Sequence, residues 1–98
     1  LDWGCAADEL ARRVRAFDPW PVAFTLFKGE ALRIWSAEVE PQSPIAPSGT
    51  VVIVDATGFV VATPAGGLRI LACQQAGGKR ISAADFARNH QLLGTSLG

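Results

Sequence analysis

Thr50-Val51-Val52-Ile53-Val54-Asp55, Ala56-Thr57, Gly58-Phe59-Val60-Val61-Ala62-Thr63 is the stretch on which the fold turns. Two runs rich in β-branched residues flank Asp55-Ala56-Thr57-Gly58, which has the composition of a hairpin turn. Downstream, Pro64-Ala65-Gly66-Gly67 turns the chain again. Leu68–Gln74 then alternates Leu68, Ile70 and Ala72 against Arg69, Leu71 and Cys73. Upstream, residues 40–49 hold three prolines and end on Gly49, so they read as a loop. Before that loop, residues 22–27 and 31–39 read as a strand pair around Lys28-Gly29. Five strands in close succession predict a small antiparallel β-barrel.

A helix is expected at each end, giving a mainly β chain with flanking helices. Ala6, Leu10, Val14 and Phe17 fall at spacings of four, four and three, one apolar stripe at helical period. Asp18-Pro19 stops that helix, and Trp20 between Pro19 and Pro21 makes a stiff corner. Trp20 is expected as an apolar plug between helix and barrel. At the other end, Ser82-Ala83-Ala84-Asp85 is a capping pattern. It opens a helix over residues 83–93 that packs through Phe86, Leu92 and Leu93 and stops at Gly94.

Composition narrows the function classes. The 98 residues suffice for one small domain, and with 49% apolar and 18% charged residues they predict a real core rather than disorder. Nine basic residues balance nine acidic ones, which argues against a strongly basic, self-sufficient nucleic-acid binder. The balance is uneven. Residues 66–98 carry Arg69, Lys79, Arg80 and Arg88 against Asp85 alone, so a local positive face is expected. Cys5 and Cys73 fit neither a disulfide framework nor metal-ligand spacing, and Cys73 reads as a small buried hydrophobe. A reducing, cytoplasmic setting is expected, with no membrane segment. Leu1-Asp2-Trp3 without an initiator Met reads as an internal starting point, so a piece of a longer protein is expected.

Catalytic chemistry is sparse. The single histidine, His90, has Asp85 five residues away, a poor facing on a helix, and reads as a surface or half-buried residue. Glu38 and Glu40 read as a solvated strand edge. Gly78-Lys79-Arg80 lacks the upstream spacing and the hydroxyl of a phosphate-binding loop. The residues therefore predict no catalytic, cofactor-binding or metal-binding site in this chain. The better signal is Gly77-Gly78-Lys79-Arg80, read as an exposed loop whose glycines present two cations to a phosphate backbone. The same pattern fits a plain solvated turn, and spacing alone favours the turn. Trp3, Trp20 and Trp35 suit base stacking, but a domain this small needs large aromatics, so Trp20 and Trp35 read as core or core edge.

Several motifs in order carry a resemblance. Asp2-Trp3, Arg12 to Arg15 and Ala16-Phe17-Asp18-Pro19-Trp20-Pro21 come first. Leu32-Arg33-Ile34-Trp35, Pro47-Ser48-Gly49-Thr50-Val51 and Leu68-Arg69-Ile70-Leu71 through Gln74 follow. Gly78-Lys79-Arg80-Ile81-Ser82-Ala83-Ala84-Asp85-Phe86 closes the series. Together they resemble the C-terminal domain of methionyl-tRNA formyltransferases across essentially the whole chain. Asp18 stands where that family usually has Asn, Ser48 interrupts a Pro-Gly pair, and Ile81 replaces a frequent Met.

The resemblance implies an OB-like barrel that helps hold tRNA, with residues 1–98 forming one such domain. It implies that the Rossmann-like catalytic domain, which holds the folate site, lies elsewhere in the parent protein. That parent moves a formyl group from 10-formyltetrahydrofolate to initiator methionyl-tRNA in translation initiation. The fragment alone would be non-catalytic, with the N-terminal catalytic domain and initiator methionyl-tRNA as its partners. Lys79 and Arg80 become the foremost tRNA contacts, with Arg69 and Arg88 beside them, and Arg12, Arg13 and Arg15 weaker. Two other readings stay open: the matching domain of another folate-dependent formyl enzyme without RNA binding, and a purely structural barrel.

Overall fold

The computed structural model describes residues 1–18 and 20–98. Helix α1 (Ala7–Ala16) leads into β1 (Phe24–Phe27), β2 (Glu30–Glu40), β3 (Val51–Asp55), β4 (Gly58–Ala62), β5 (Gly67–Gln75) and β6 (Arg80–Ser82), and α2 (Ala83–Asn89) follows. The expected mainly β, antiparallel architecture with a helix near each end is what forms. It has six strands rather than five, because Arg80, the last residue of the expected loop, pairs together with Ile81 and Ser82 as β6.

All strands join one sheet in the order β1-β2-β5-β4-β3, with β6 also on β5. One edge of β5 pairs with β2 from Leu32↔Gln75 to Glu40↔Gly67. Its other edge is shared end to end. β4 takes Gly67 to Ile70, and β6 takes Ala72 to Gln74. No strand pairing joins β1 to β3 among the described residues, so a closed barrel is not what the pairings show. The C-terminal segment bonds across that region instead. Leu97 N–H donates to Gly49 O at 2.8 Å, and Gly98 N–H donates to Leu26 O at 2.9 Å.

Local chemistry explains the turns and caps. Lys28 and Gly29 both have positive φ, 51° and 81°, the conformation of a two-residue hairpin turn between β1 and β2. The Ser82 hydroxyl accepts from the Asp85 N–H at 3.1 Å, the cap its spacing predicts. Helix α2 then ends at Asn89, four residues short of expectation. Leu92 is buried beyond it in an irregular segment, while Leu93 is exposed.

The core holds Leu10, Val14, Leu32, Ile34, Phe59, Leu68, Ile70 and Phe86. In α1 the buried face is Ala7, Leu10, Ala11 and Val14, so the stripe is centred as expected. Its predicted ends differ: Ala6 is half-buried and Phe17 exposed. Trp20 corrects the sequence reading outright, because its ring is 82% exposed. The Val22 N–H bonds to Phe17 O at 2.8 Å and closes the corner on itself, leaving Trp20 on the outside. Trp3 is the tryptophan that enters the core, with Nε1 donating to the buried Thr25 hydroxyl at 2.9 Å. Pro19 lies outside the described residues, so its helix-stopping role is not described.

Both cysteines are free thiols. Burial pushes the Cys73 thiol up to about 12, so it stays protonated and packs as a small apolar group. No described helix is long and apolar enough to cross a membrane.

Candidate nucleic-acid interface

Which cations are free decides which can meet a phosphate. On α1, Arg12 pairs with Asp8 at 3.4 Å and Arg13 with Glu9 at 3.5 Å, both one turn apart on the helix. Arg88 pairs with Asp85 one turn earlier on α2. Arg69 is held hardest. Its Nη2 meets Glu40 Oε1 at 2.8 Å, and its Nη1 meets Asp55 Oδ1 at 2.8 Å and the Thr57 hydroxyl at 2.7 Å. Only 12% of its side chain is exposed. Among the described residues, Arg15, Lys28, Arg33, Lys79 and Arg80 form no ion pair, and the last three gather around the β5–β6 connection and the β2 strand beside it.

The Arg69 knot ties three elements, β2 through Glu40, β5 through Arg69 and the β3–β4 turn through Asp55 and Thr57. Glu40 is thereby engaged rather than a plain solvated edge, while Glu38 stays exposed. Hydrogen bonds from Arg69 and then from Thr57 lower the Asp55 carboxyl from 3.8 to about 2. A depressed carboxylate stabilises the fold above its unfolded pKa and loses that contribution as pH falls through the folded one. The chain is therefore expected to lose stability between about pH 4 and pH 2 through this group. Urea unfolding midpoints measured from pH 5 to pH 2 check this. Asp55→Asn is expected to start lower at neutral pH and to fall less on acidification than wild type.

Lys79 and Arg80 sit in a different setting, Lys79 at the end of the turn from β5 and Arg80 as the first residue of β6. Gly77 has φ 74°, and the Gly78 N–H donates to Gln75 O at 3.0 Å. Gln74 Nε2 donates to Gly78 O at 2.9 Å. The turn is tied at both peptide groups, so the glycines shape it rather than leave it a flexible loop. Arg80 then lies over Trp35, its guanidinium carbon 4.0 Å from the ring centroid. Trp35 is the extra residue of a bulge in β2 between Ile34 and Ser36, and its Nε1 donates to Gln74 Oε1 at 2.9 Å. This half-buried tryptophan is the core-edge residue expected, with a cation as its cover.

The register adds a residue the sequence reading did not single out. Gln74 pairs with Arg33 on β2 and with Arg80 on β6. A cleft of about 200 Å³ opens beside that row, lined by Ala31, Arg33, Gln74, Gln75, Ala76 and Gly77. The face therefore carries Arg33, Trp35 and Arg80, an aromatic among cations, and the exposed Lys79 precedes Arg80 on the turn. Arg33 and Trp35 stand two apart, a period-2 signal that they share a side, but their meeting with Arg80 depends on pairings across 39 residues and more.

Arg69 and Arg88 do not join this group. Arg69 lies five residues before Gln74, about 16 Å along the strand at 3.3 Å per residue. Arg88 lies on α2 beside Val54, Asp55 and Ala84. His90 is half-buried, its ring 4.4 Å from Phe86 and 5.4 Å from Phe27. No three His, Cys, Asp or Glu side chains converge as a metal site among the described residues.

Known proteins match this chain. The family model for the formyl transferase C-terminal domain matches residues 1–91. Methionyl-tRNA formyltransferase of Hydrogenovibrio crunogenus is 50% identical over 98 residues, covering all of this chain and 31% of that protein. The Methylococcus capsulatus enzyme of the same name is 50% identical over 98 residues, covering all of this chain and 32% of its own length. That of Bacillus thuringiensis is 37% identical over 100 residues. The chain thus spans about a third of the length of the curated relatives it matches. Among solved structures, HypX from Aquifex aeolicus in complex with tetrahydrofolic acid superposes with a TM-score of 0.75. It is 19% identical and covers 89% of this chain and 16% of that one, a likeness of fold. From the pattern of strands, the ordered motifs and these matches together, the chain belongs to the formyl transferase C-terminal domain family.

Proposed function

We propose that this chain is the tRNA-holding C-terminal domain of a methionyl-tRNA formyltransferase. The parent enzyme would transfer the formyl group of 10-formyltetrahydrofolate to initiator methionyl-tRNA in the cytoplasm, on a catalytic domain of the same protein. This domain contributes no catalytic group. It contributes a basic face that positions the RNA. The observation that carries this reading is the pair Lys79 and Arg80 at the tied β5–β6 connection, without an acidic partner and with Arg80 over Trp35, while four other arginines are engaged. Identity of 44–50% to methionyl-tRNA formyltransferases over the whole chain supports it over a role in other folate-dependent enzymes.

The site assignment is sharper than the four basic residues of the C-terminal third. Lys79 and Arg80 are the contacts. Arg88 is a peripheral candidate, since an exposed ion pair such as its own with Asp85 holds it weakly. Arg69 is assigned to the structural knot. With zero net charge, the chain is expected to bind tRNA weakly and in a salt-sensitive way.

Filter binding to tRNA at low and moderate salt tests this. Each phosphate contact contributes about 0.7–0.9 to the slope of log affinity against log salt, so Lys79→Ala/Arg80→Ala is expected to flatten it by about 1.5. Unchanged affinity and slope in the double variant would remove the assignment.

A further inference from the structure

We infer that Arg33, in the lining of the Gln74 cleft, and Arg80, beside that cleft over Trp35, form a two-arginine clamp for a ribose-phosphate group, with Gln74 as the residue that positions Arg80. This rests on the tRNA-binding reading and names the atoms that would meet the backbone.

The register is the first support. Arg33, Gln74 and Arg80 lie in one row across β2, β5 and β6. Strands sit about 4.8 Å apart, so the two arginine Cα atoms stand about 10 Å apart, within the reach of two long side chains. The cleft of about 200 Å³ beside the row holds several water-sized volumes of about 30 Å³ each, room for a phosphate and part of its hydration. Arg33 and Gln74 line it, Arg80 stands outside the lining at the β6 end of the row, and none of the lining residues is acidic.

Hydrogen-bond chemistry is the second support. The Trp35 indole N–H only donates, and the Gly78 carbonyl only accepts. Gln74 sits between them, so its amide has one allowed orientation, Oε1 toward Trp35 and Nε2 toward Gly78. Both ends of the amide are engaged, and the indole is fixed in place. A fixed indole gives Arg80 a flat platform 4.0 Å away. An arginine stacked in this way keeps its N–H edge in a set plane, suited to bidentate phosphate contact. Gln74 thus orders the ring and the turn that carries Lys79, without touching the ligand's charge itself.

The test uses this chain with an initiator tRNA transcript as the probe, over a salt series, with thermal unfolding of each variant alongside. Arg33→Ala is expected to weaken binding about tenfold, the scale of one lost charged hydrogen bond, and to lower the salt slope by about 0.7–0.9. Gln74→Leu keeps every charge, so it is expected to weaken binding with the salt slope little changed. In an Arg80→Ala background the Gln74→Leu loss is expected to vanish, because Gln74 acts through Arg80. A merely structural role would give losses that add. If wild type binds with a salt slope and Arg33→Ala matches it, the clamp is overturned while the tRNA reading stands. Additive losses for Gln74 and Arg80 overturn the positioning role. If wild type shows no salt-dependent binding, both the clamp and the reading beneath it fall.

Discussion

Phe86→Ala is expected to destabilise the chain by about 3–5 kcal/mol, the range for removing a buried aromatic ring. Phe86 is fully buried on α2. Its ring meets Phe27 edge-on at 5.3 Å, Phe59 at 6.2 Å and His90 at 4.4 Å. These partners come from β1, β4 and the segment after α2, so the cavity would open where separate elements meet. Domains of this kind have only about 5–15 kcal/mol in total, so a large part of the fold's stability goes with one side chain. Urea unfolding followed by circular dichroism reads the change. Leu93→Ala is the matched control, since its side chain is exposed and the loss should stay within about 0.5 kcal/mol. A Phe86→Ala loss as small as the control would mean that α2 does not seal the core. The effect reaches function as well, because α2 continues directly from β6, which carries Arg80.

Gly58→Ala is the second large effect, by a different mechanism. Gly58 closes the turn between β3 and β4 at φ 144°, where L side chains are strained. A Cβ there would also sit 2.0 Å from the Ile70 carbonyl oxygen on β5. That neighbour is backbone, and the β4–β5 ladder pairs Phe59 with Ile70 right beside it. Relief would require the strands to part or the turn to move. The conformational cost of about 1–3 kcal/mol and an overpacking cost of similar size give about 2–6 kcal/mol in total. The same turn carries Asp55 and Thr57, so the Arg69 knot should loosen with it. Comparing Gly58→Ala with Gly29→Ala isolates the clash, because Gly29 also has positive φ but nothing within 4 Å of its Cβ position. Equal losses at the two sites would show that conformation alone matters.

Local signals in the sequence were readable where physics is local. The hairpin around Asp55–Gly58, the two-residue turn at Lys28-Gly29 and the Ser82 cap each need only a few neighbouring residues to specify them. The helical stripe of α1 was legible for the same reason, since Leu10 and Val14 are one turn apart. Strand β6 was not legible. Arg80-Ile81-Ser82 is three residues long, and it is a strand only because the C-terminal half of β5 lies open beyond the end of β4. Trp20 misled because hydrophobicity states what a side chain prefers, not which of three tryptophans the core has room for.

The candidate site divides along the same line. The sequence by itself determined that the chain is a small, mainly antiparallel β domain of the formyl transferase C-terminal family, and that Lys79 and Arg80 are adjacent cations following a Gly-Gly turn. Ordered motifs and residue periodicity are properties of the chain as written. Tertiary structure alone decided which cations are free. It sank Arg69 between Glu40 and Asp55, and it brought Arg33 and Trp35 to Gln74 and Arg80. Charge availability is a pairing between residues distant along the chain, and such pairings exist only once strand register has been set.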